Sequence, residues 1–288
     1  MTWRETVAKA AHYLETKGVP DPMVAGELLA ARLLRIGRGF LASRLDGEVS
    51  ERELDAMRRG MARLAGGEPV QYVLGEWDFR SLTLKCDKRA LIPRPETEEL
   101  VTRVLKYLRA GAHDENAGRQ FVVDVGTGAG PIVLSLAKEH PGPFYLGTDI
   151  SEDAIALARE NAARCALSDD VKFAVMDGLD DLDEPQCVDV IVSNPPYVKS
   201  SVCLTLDPRV WDFEPHMALD GGDSGLDFYD RYLADALNLL KPGGAVFFEI
   251  GEDQGGELEA LMKSYGFSDI RIEKDFAGLD RYASATLA

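Results

Sequence analysis

Beyond Gln120 the chain alternates two patterns, and that alternation limits its possible folds more than any other feature. The runs FVVDV (121–125), FYLGTDI (144–150), VKFAVMD (171–177), VDVIVS (188–193) and AVFFEIG (245–251) are β-branched or aromatic and read as strands. Between or after them, PIVLSLAKEH, SEDAIALARENAARCA, GLDFYDRYLADALNLL and DQGGELEALMKSYG read as helices. This rhythm implies an α/β fold, a mainly parallel sheet with helices on both faces. The last stretch, FSDIRIEKDFAGLDRYASATLA, gives two short strands around Gly278-Leu279-Asp280. With no room for a crossover helix, they should pair antiparallel.

The first 75 residues read as a small helical bundle. Thr2 with Glu5 is a capping box opening a helix to about Lys17, and Ser50 with Glu53 repeats it before LDAMRRGMARLAGG. Asp21 is the expected N-cap of a helix whose first residue is Pro22. From Pro69 to Pro93 the pattern turns to period two, so residues 76–93 read as a β-hairpin connector, with Asp87-Lys88-Arg89 in or beside its turn. PRPETEELVTRVLKYLRA then starts a helix. The expected division is 1–75 as a helical N-terminal domain, 76–93 as linker and 94–288 as the α/β domain.

Four features fall at strand ends. After FVVDV comes Asp124-x-Gly126-Thr127-Gly128-Ala129-Gly130, a sharp turn whose glycines let a ligand approach the backbone. A dinucleotide site needs G-x-G-x-x-G; here the third glycine arrives one residue early, which suits a cofactor without a pyrophosphate. Asp149, followed by Ile150, ends the second strand about 20 residues on, where a carboxylate accepts hydrogen bonds from ribose hydroxyls. The plainer alternative makes Asp149 an N-cap, a role Ser151 could fill. Asp177-Gly178 closes the third strand, beside an adenine ring or as an ordinary turn. After the fourth come Asn194-Pro195-Pro196-Tyr197, where the prolines end the strand because neither has an N–H to give. A lone Pro-Pro is a rigid turn. Four features on the carboxyl edge of one sheet point instead to a site.

Together these residues resemble an S-adenosylmethionine-dependent methyltransferase of a planar nitrogen. The N-P-P-Y tetrad is shared by adenine amino methyltransferases of nucleic acid and by glutamine methyltransferases of release factors. EPVQYVLGEWDF, LIPRPETEELV, NPPYVKSS, FEPHMAL and KDFAGLDRYA resemble the second group, the PrmC/HemK family, over essentially the whole chain. The resemblance implies a Rossmann-like class I methyltransferase sheet and S-adenosyl-L-methionine as cofactor. It also implies a peptide chain release factor as protein substrate, methylated at the glutamine of its Gly-Gly-Gln loop. Gly126, Thr127, Gly128, Ala129, Gly130, Asp149, Ile150, Asp177, Gly178 and Asn194 would hold the cofactor. Asn194, Pro195, Pro196 and Tyr197 would position the glutamine, the Asn194 oxygen and the Pro195 carbonyl each accepting one amide N–H. Arg94 would border the cofactor or the incoming substrate loop and Glu214 would belong to the loop covering the substrate, although a plain connection would explain Glu214 nearly as well. The helical domain would help to recognise the release factor.

Charge separates the two groups further. Residues 1–75 carry 11 basic and 10 acidic side chains, leaving 21 and 39 on the remainder. An acidic body repels nucleic-acid phosphates, so no direct nucleic-acid binding is expected. The acidic run from Asp169 to Glu184 would meet a basic partner or simply stay solvated. No stretch approaches a membrane span, the N-terminus lacks an apolar signal core, and Cys86, Cys165, Cys187 and Cys203 lack metal or redox spacing. A cytoplasmic monomer without a metal is the expectation.

Overall fold

The computed structural model describes residues 1–111 and 118–288. They form two compact units, Met1–Trp77 with Asp207–Phe213, and Asp78–Leu206 with Glu214–Ala288.

The first unit is helical: α1 (Trp3–Thr16), α2 (Pro22–Leu34), α3 (Glu51–Ala65) and α4 (Val70–Leu74). Both capping boxes form, Thr2 with Glu5 and Ser50 with Glu53. Ala10, Leu14, Ala25, Leu29, Met57 and Leu64 make its main core. Asp21 opens α2 as expected, but its backbone is left-handed (φ +45°) and its side chain caps nothing. A side-chain cap needs an extended backbone at that position. Residues 70–74 are a helical turn, closed by left-handed Gly75, so the extended pattern starts at Glu76 and not after Pro69. Val70, Val73 and Leu74 pack on the helical core, and that packing overrides the β-branched character of the two valines.

β1 (Glu76–Phe79) and β2 (Leu82–Lys85) pair as a two-stranded sheet. Their turn is Arg80-Ser81 and not Asp87–Arg89, which lie beyond β2. Arg80 is left-handed (φ +51°), unusual for a residue with a Cβ. Distant partners hold it there: its N–H donates to Glu98 Oε1 (3.0 Å) and its guanidinium to Glu139 (2.6 and 2.7 Å). The Asp87 carboxylate instead takes the side chain of Arg89 (2.8 and 2.9 Å).

The second unit continues with α5 (Pro95–Gly111), β3 (Phe121–Val125), α6 (Pro131–Glu139), β4 (Phe144–Asp149), α7 (Glu152–Arg164), β5 (Val171–Val175) and β6 (Val188–Ser193). It ends with α8 (Asp227–Leu239), β7 (Leu240–Glu249), α9 (Gly255–Ser264), β8 (Ser268–Lys274) and β9 (Asp280–Thr286). The seven-stranded sheet runs β5-β4-β3-β6-β7-β9-β8. Its first five strands are parallel, β9 is antiparallel to β7, and β8 is antiparallel to β9. Alternate residues of each strand enter two cores. Val122, Val190, Val192 and Phe247 face α5 and α6, while Val123, Val125, Ile191 and Phe248 face α8 and α9. The chain leaves β3 in one direction and returns to β6 on its other side, so a crevice opens between their carboxyl ends. Among the described residues no helix is long and apolar enough to cross a membrane.

Candidate active site

The four strand-end features occupy one edge of the sheet. Their spatial order follows from the strand order: Asp177 beyond β5, Asp149 at the end of β4, the glycine turn after β3, and Asn194 after β6. A cleft of about 240 Å³ runs along this edge, and Gly126, Thr127, Gly128, Ala129, Asp149, Ile150, Asp177, Gly178, Arg94, Asn194 and Pro196 all line it.

The glycine turn is built from left-handed residues, with φ of +70°, +55° and +85° at Gly126, Gly128 and Gly130. Asp124 anchors it from below. Its Oδ2 accepts from the Thr127 hydroxyl (2.6 Å) and the Val133 N–H (3.2 Å), while Oδ1 is buried with no partner among the described residues. Burial pushes this carboxyl up to about 7, against the pull of those two donors. Asp149 ties the turn to β4: Oδ2 accepts the Gly128 N–H and Oδ1 the Ser151 N–H, both at 2.9 Å. Burial raises its carboxyl too. The helix cap is Ser151, whose hydroxyl accepts the Ala154 N–H, so Asp149 is not the N-cap of α7. Gly130 lies outside the lining and opens α6, where a Cβ would stand 3.0 Å from Leu134 Cδ1.

Ile150 and Met217 turn apolar surface into the cleft, 53% and 55% exposed. Asp177 lines the cleft, but its carboxylate is held by Arg231 of α8 (2.7 Å), which also reaches the Asp177 carbonyl (2.7 Å) and Asp180 (2.8 Å). A Cβ on left-handed Gly178 would stand 3.2 Å from the Tyr232 ring.

Within the tetrad, Asn194 and Pro196 face the cleft, whereas Pro195 is buried and Tyr197 half-buried outside the lining. Burial, reinforced by Glu249, lifts the Tyr197 phenol up to about 12, so it stays neutral. The tetrad backbone is clasped from behind. Gln254 donates to the Tyr197 carbonyl (3.1 Å), and Gly221 packs so closely that a Cβ there would meet the Pro196 oxygen at 2.7 Å. The Asn194 Nδ2 donates to Thr97 Oγ1 (3.1 Å), which donates to Glu249 Oε2 (2.6 Å). Burial raises the Glu249 carboxyl to about 7, Thr97 and Arg281 opposing.

Arg94 lines the cleft; Glu214 does not. The Glu214 side chain, 1% exposed, takes the Arg94 guanidinium (2.5 Å) and the Ile92 N–H (3.0 Å). It braces the 92–94 wall from within. Thr97, Gly221, Glu249 and Gln254 were not singled out from sequence. Glu249 carried a signal, as the one charge in the otherwise apolar AVFFEIG.

Two family profiles match the chain, the PrmC N-terminal domain over residues 5–75 and the Methyltransferase small domain over residues 110–206. The release factor glutamine methyltransferase of Agrobacterium fabrum is 37% identical over 93% of this chain and 91% of its own. That of Moorella thermoacetica is 36% identical over 98% and 97%. Among solved structures, the hMettl16 catalytic domain in complex with an RNA hairpin superposes with a TM-score of 0.57. It covers 87% of this chain and 92% of its own at 17% identity, a likeness of fold alone. The sheet order, the glycine turn and these near full-length relatives agree: the chain belongs to the release factor glutamine methyltransferase family.

Proposed function

We propose that this protein transfers a methyl group from S-adenosylmethionine to the side-chain amide nitrogen of the glutamine in a release factor's Gly-Gly-Gln loop. The observation that carries the reading is that Asn194 and the glycine turn open on one cleft, in a chain matched nearly end to end by release factor glutamine methyltransferases.

The cleft suits the cofactor. The left-handed glycines bring backbone close without side chains, and Ile150 and Met217 offer an apolar face to a base. Asp149 accepts two N–H groups and keeps lone pairs for ribose hydroxyls, a carboxylate having about four sites. Gly126, Thr127, Gly128, Ala129, Asp149, Ile150, Asp177, Gly178 and Asn194 would hold it, with Gly130 shaping the turn. When bound, S-adenosylmethionine supplies an electrophilic methyl group.

An amide nitrogen is a poor nucleophile because its lone pair is delocalised into the carbonyl. The tetrad answers this by positioning. The Asn194 oxygen and the Pro195 carbonyl accept the two amide protons, turn the nitrogen toward the methyl donor, and face the developing positive charge. Tyr197 stacks on the flat amide, and the prolines keep the loop rigid. No general base is needed, since the methylated nitrogen is strongly acidic and loses its proton to water. The two carboxylates that line the cleft stand away from the tetrad, and Glu249 behind it is engaged by Thr97. Asp149 and Asp177 end strands two and three removed from β6, about 10 and 14 Å away at strand spacing. Arg94, braced by Glu214, borders the incoming loop, and the helical unit contributes to recognising the release factor, which it meets in the cytoplasm as a monomer.

The test offers the enzyme labelled S-adenosylmethionine with an unmodified release factor and, separately, adenine-containing single-stranded DNA and RNA. Mass spectrometry then locates the label. Label on the Gly-Gly-Gln glutamine is expected; label on adenine alone would place the activity on nucleic acid and overturn the reading.

A further inference from the structure

We propose that Thr97 and Glu249 are positioning residues, a buried relay that fixes which end of the Asn194 amide faces the cleft. The inference rests on the glutamine-transfer reading above.

The two ends of an asparagine amide are nearly the same size, so packing alone does not choose between them. Chemistry does: only the oxygen can accept a substrate N–H, and an outward NH2 would oppose the substrate's own donors. The choice is made by Thr97, which stands beside Asn194 in the cleft wall with almost no exposed surface. The Thr97 hydroxyl has one proton, and it goes to Glu249 Oε2 at 2.6 Å. Only lone pairs then remain on Thr97 Oγ1, so Asn194 must present its NH2 there, as it does at 3.1 Å. The oxygen is left for the cleft.

The relay spans three elements. Thr97 stands in the first turn of α5, Glu249 ends β7, and Asn194 follows β6, whose Ser193 is in register with Phe248 of β7. Thr97 and Glu249 are 2% and 1% exposed, so water does not compete for these bonds. Glu249 is surrounded by Arg94 and Glu96 before and at the start of α5, Tyr197 of the tetrad, and Arg281 and Tyr282 of β9. Tyr229 of α8 donates to its backbone carbonyl. Arg94 and Arg281 favour the ionised carboxylate, while burial and Glu96 oppose it.

Direction in this relay depends on Glu249 being an acceptor. A protonated Glu249, or a glutamine, can donate to Thr97, which frees the Thr97 proton for the Asn194 oxygen and lets the amide turn over. Activity should therefore rise with pH as Glu249 ionises, with a midpoint near its value of about 7.

The experiment measures single-turnover methyl transfer to the release factor across pH 5.5–9, with S-adenosylmethionine affinity by calorimetry, for the whole enzyme and three variants. Glu249→Gln and Thr97→Val should transfer at least about tenfold more slowly at pH 8. Both should bind cofactor within about twofold of wild type, and Glu249→Gln should lose the rising pH limb. Thr97→Ser, which keeps the hydroxyl, should restore the rate and the limb, and it decides the matter if a bulkier change misfolds. Wild-type rates in Glu249→Gln or Thr97→Val, a persistent limb in Glu249→Gln, or a slow Thr97→Ser would each overturn the relay alone. No transfer to the release factor by the wild-type enzyme overturns the parent reading and the relay with it.

Discussion

Replacing Gly221 by alanine tests the claim that placement of the tetrad governs transfer. A Cβ at Gly221 would sit 2.7 Å from the Pro196 oxygen, 2.8 Å from Tyr197 Cα and 2.9 Å from Tyr197 C. All three are backbone atoms, so no side chain can rotate away. Gly221 is tied to the same loop by its N–H to the Val198 carbonyl (2.8 Å), so relieving the clash must shift the tetrad backbone against residue 221. Restoring ordinary contact of about 3.5 Å requires a displacement of roughly 0.5–1 Å. Overpacking on this scale costs about 1–3 kcal/mol of stability, or a fall in Tm of roughly 2–10 °C for a unit of this size. A misplacement near 1 Å at reacting groups lowers rate by up to about 100-fold. The expected result is thus a folded enzyme with single-turnover transfer slowed about 10- to 100-fold. Cofactor affinity should stay within about threefold, because the atoms nearest the new Cβ belong to Pro196 and Tyr197 and not to the glycine turn or Asp149. Gly256→Ala is the control: nothing stands within 4 Å of its Cβ, and α9 should gain from the better helix former. A Gly221→Ala enzyme with wild-type transfer would refute the positioning argument, and equal losses of cofactor affinity and rate would show collapse of the cleft instead.

Three further outcomes are expected. Asp149→Asn replaces a charged acceptor of two backbone N–H groups and of the ribose, and should weaken S-adenosylmethionine binding about 10- to 100-fold by calorimetry with release-factor affinity unchanged. Arg94→Ala leaves the buried Glu214 carboxylate without its cation, and should lower stability by about 2–4 kcal/mol in denaturant titrations, whereas Arg94→Lys recovers part of it. Asp124 and Glu249 both have folded-state values raised to about 7, above those of the unfolded chain, so the folded state holds their protons longer. Stability should fall as pH rises from about 4 to about 7, and Asp124→Asn should flatten that slope in Tm measured against pH.

Local patterning carried the sheet. β-branched runs, the glycine turn, the capping boxes of Thr2 and Ser50 and the strand-ending prolines are each written within a few residues and each appears in the fold, although β7 begins at Leu240, five residues ahead of AVFFEIG, and β5 stops at Val175. Other features depend on partners far along the chain. Arg80 turns the hairpin because Glu139, 59 residues away, holds its guanidinium. Asp21 lacks its side-chain cap because the chain enters α2 left-handed. Glu214 braces Ile92 across 122 positions, and Thr97 meets Glu249 across 152. No periodicity announces such pairs. Asp177 shows a related limit: its position at the strand end was legible, its capture by Arg231 was not.

Single-turnover methyl transfer to the Gly-Gly-Gln glutamine by Asn194→Ala, with cofactor affinity measured on the same preparation, decides whether the tetrad positions the amide. The rate should fall about 100- to 1,000-fold, since one of two oxygens facing the developing charge is removed, with binding of S-adenosylmethionine held within a few-fold. Transfer at the wild-type rate would contradict it and move the chemistry away from the tetrad.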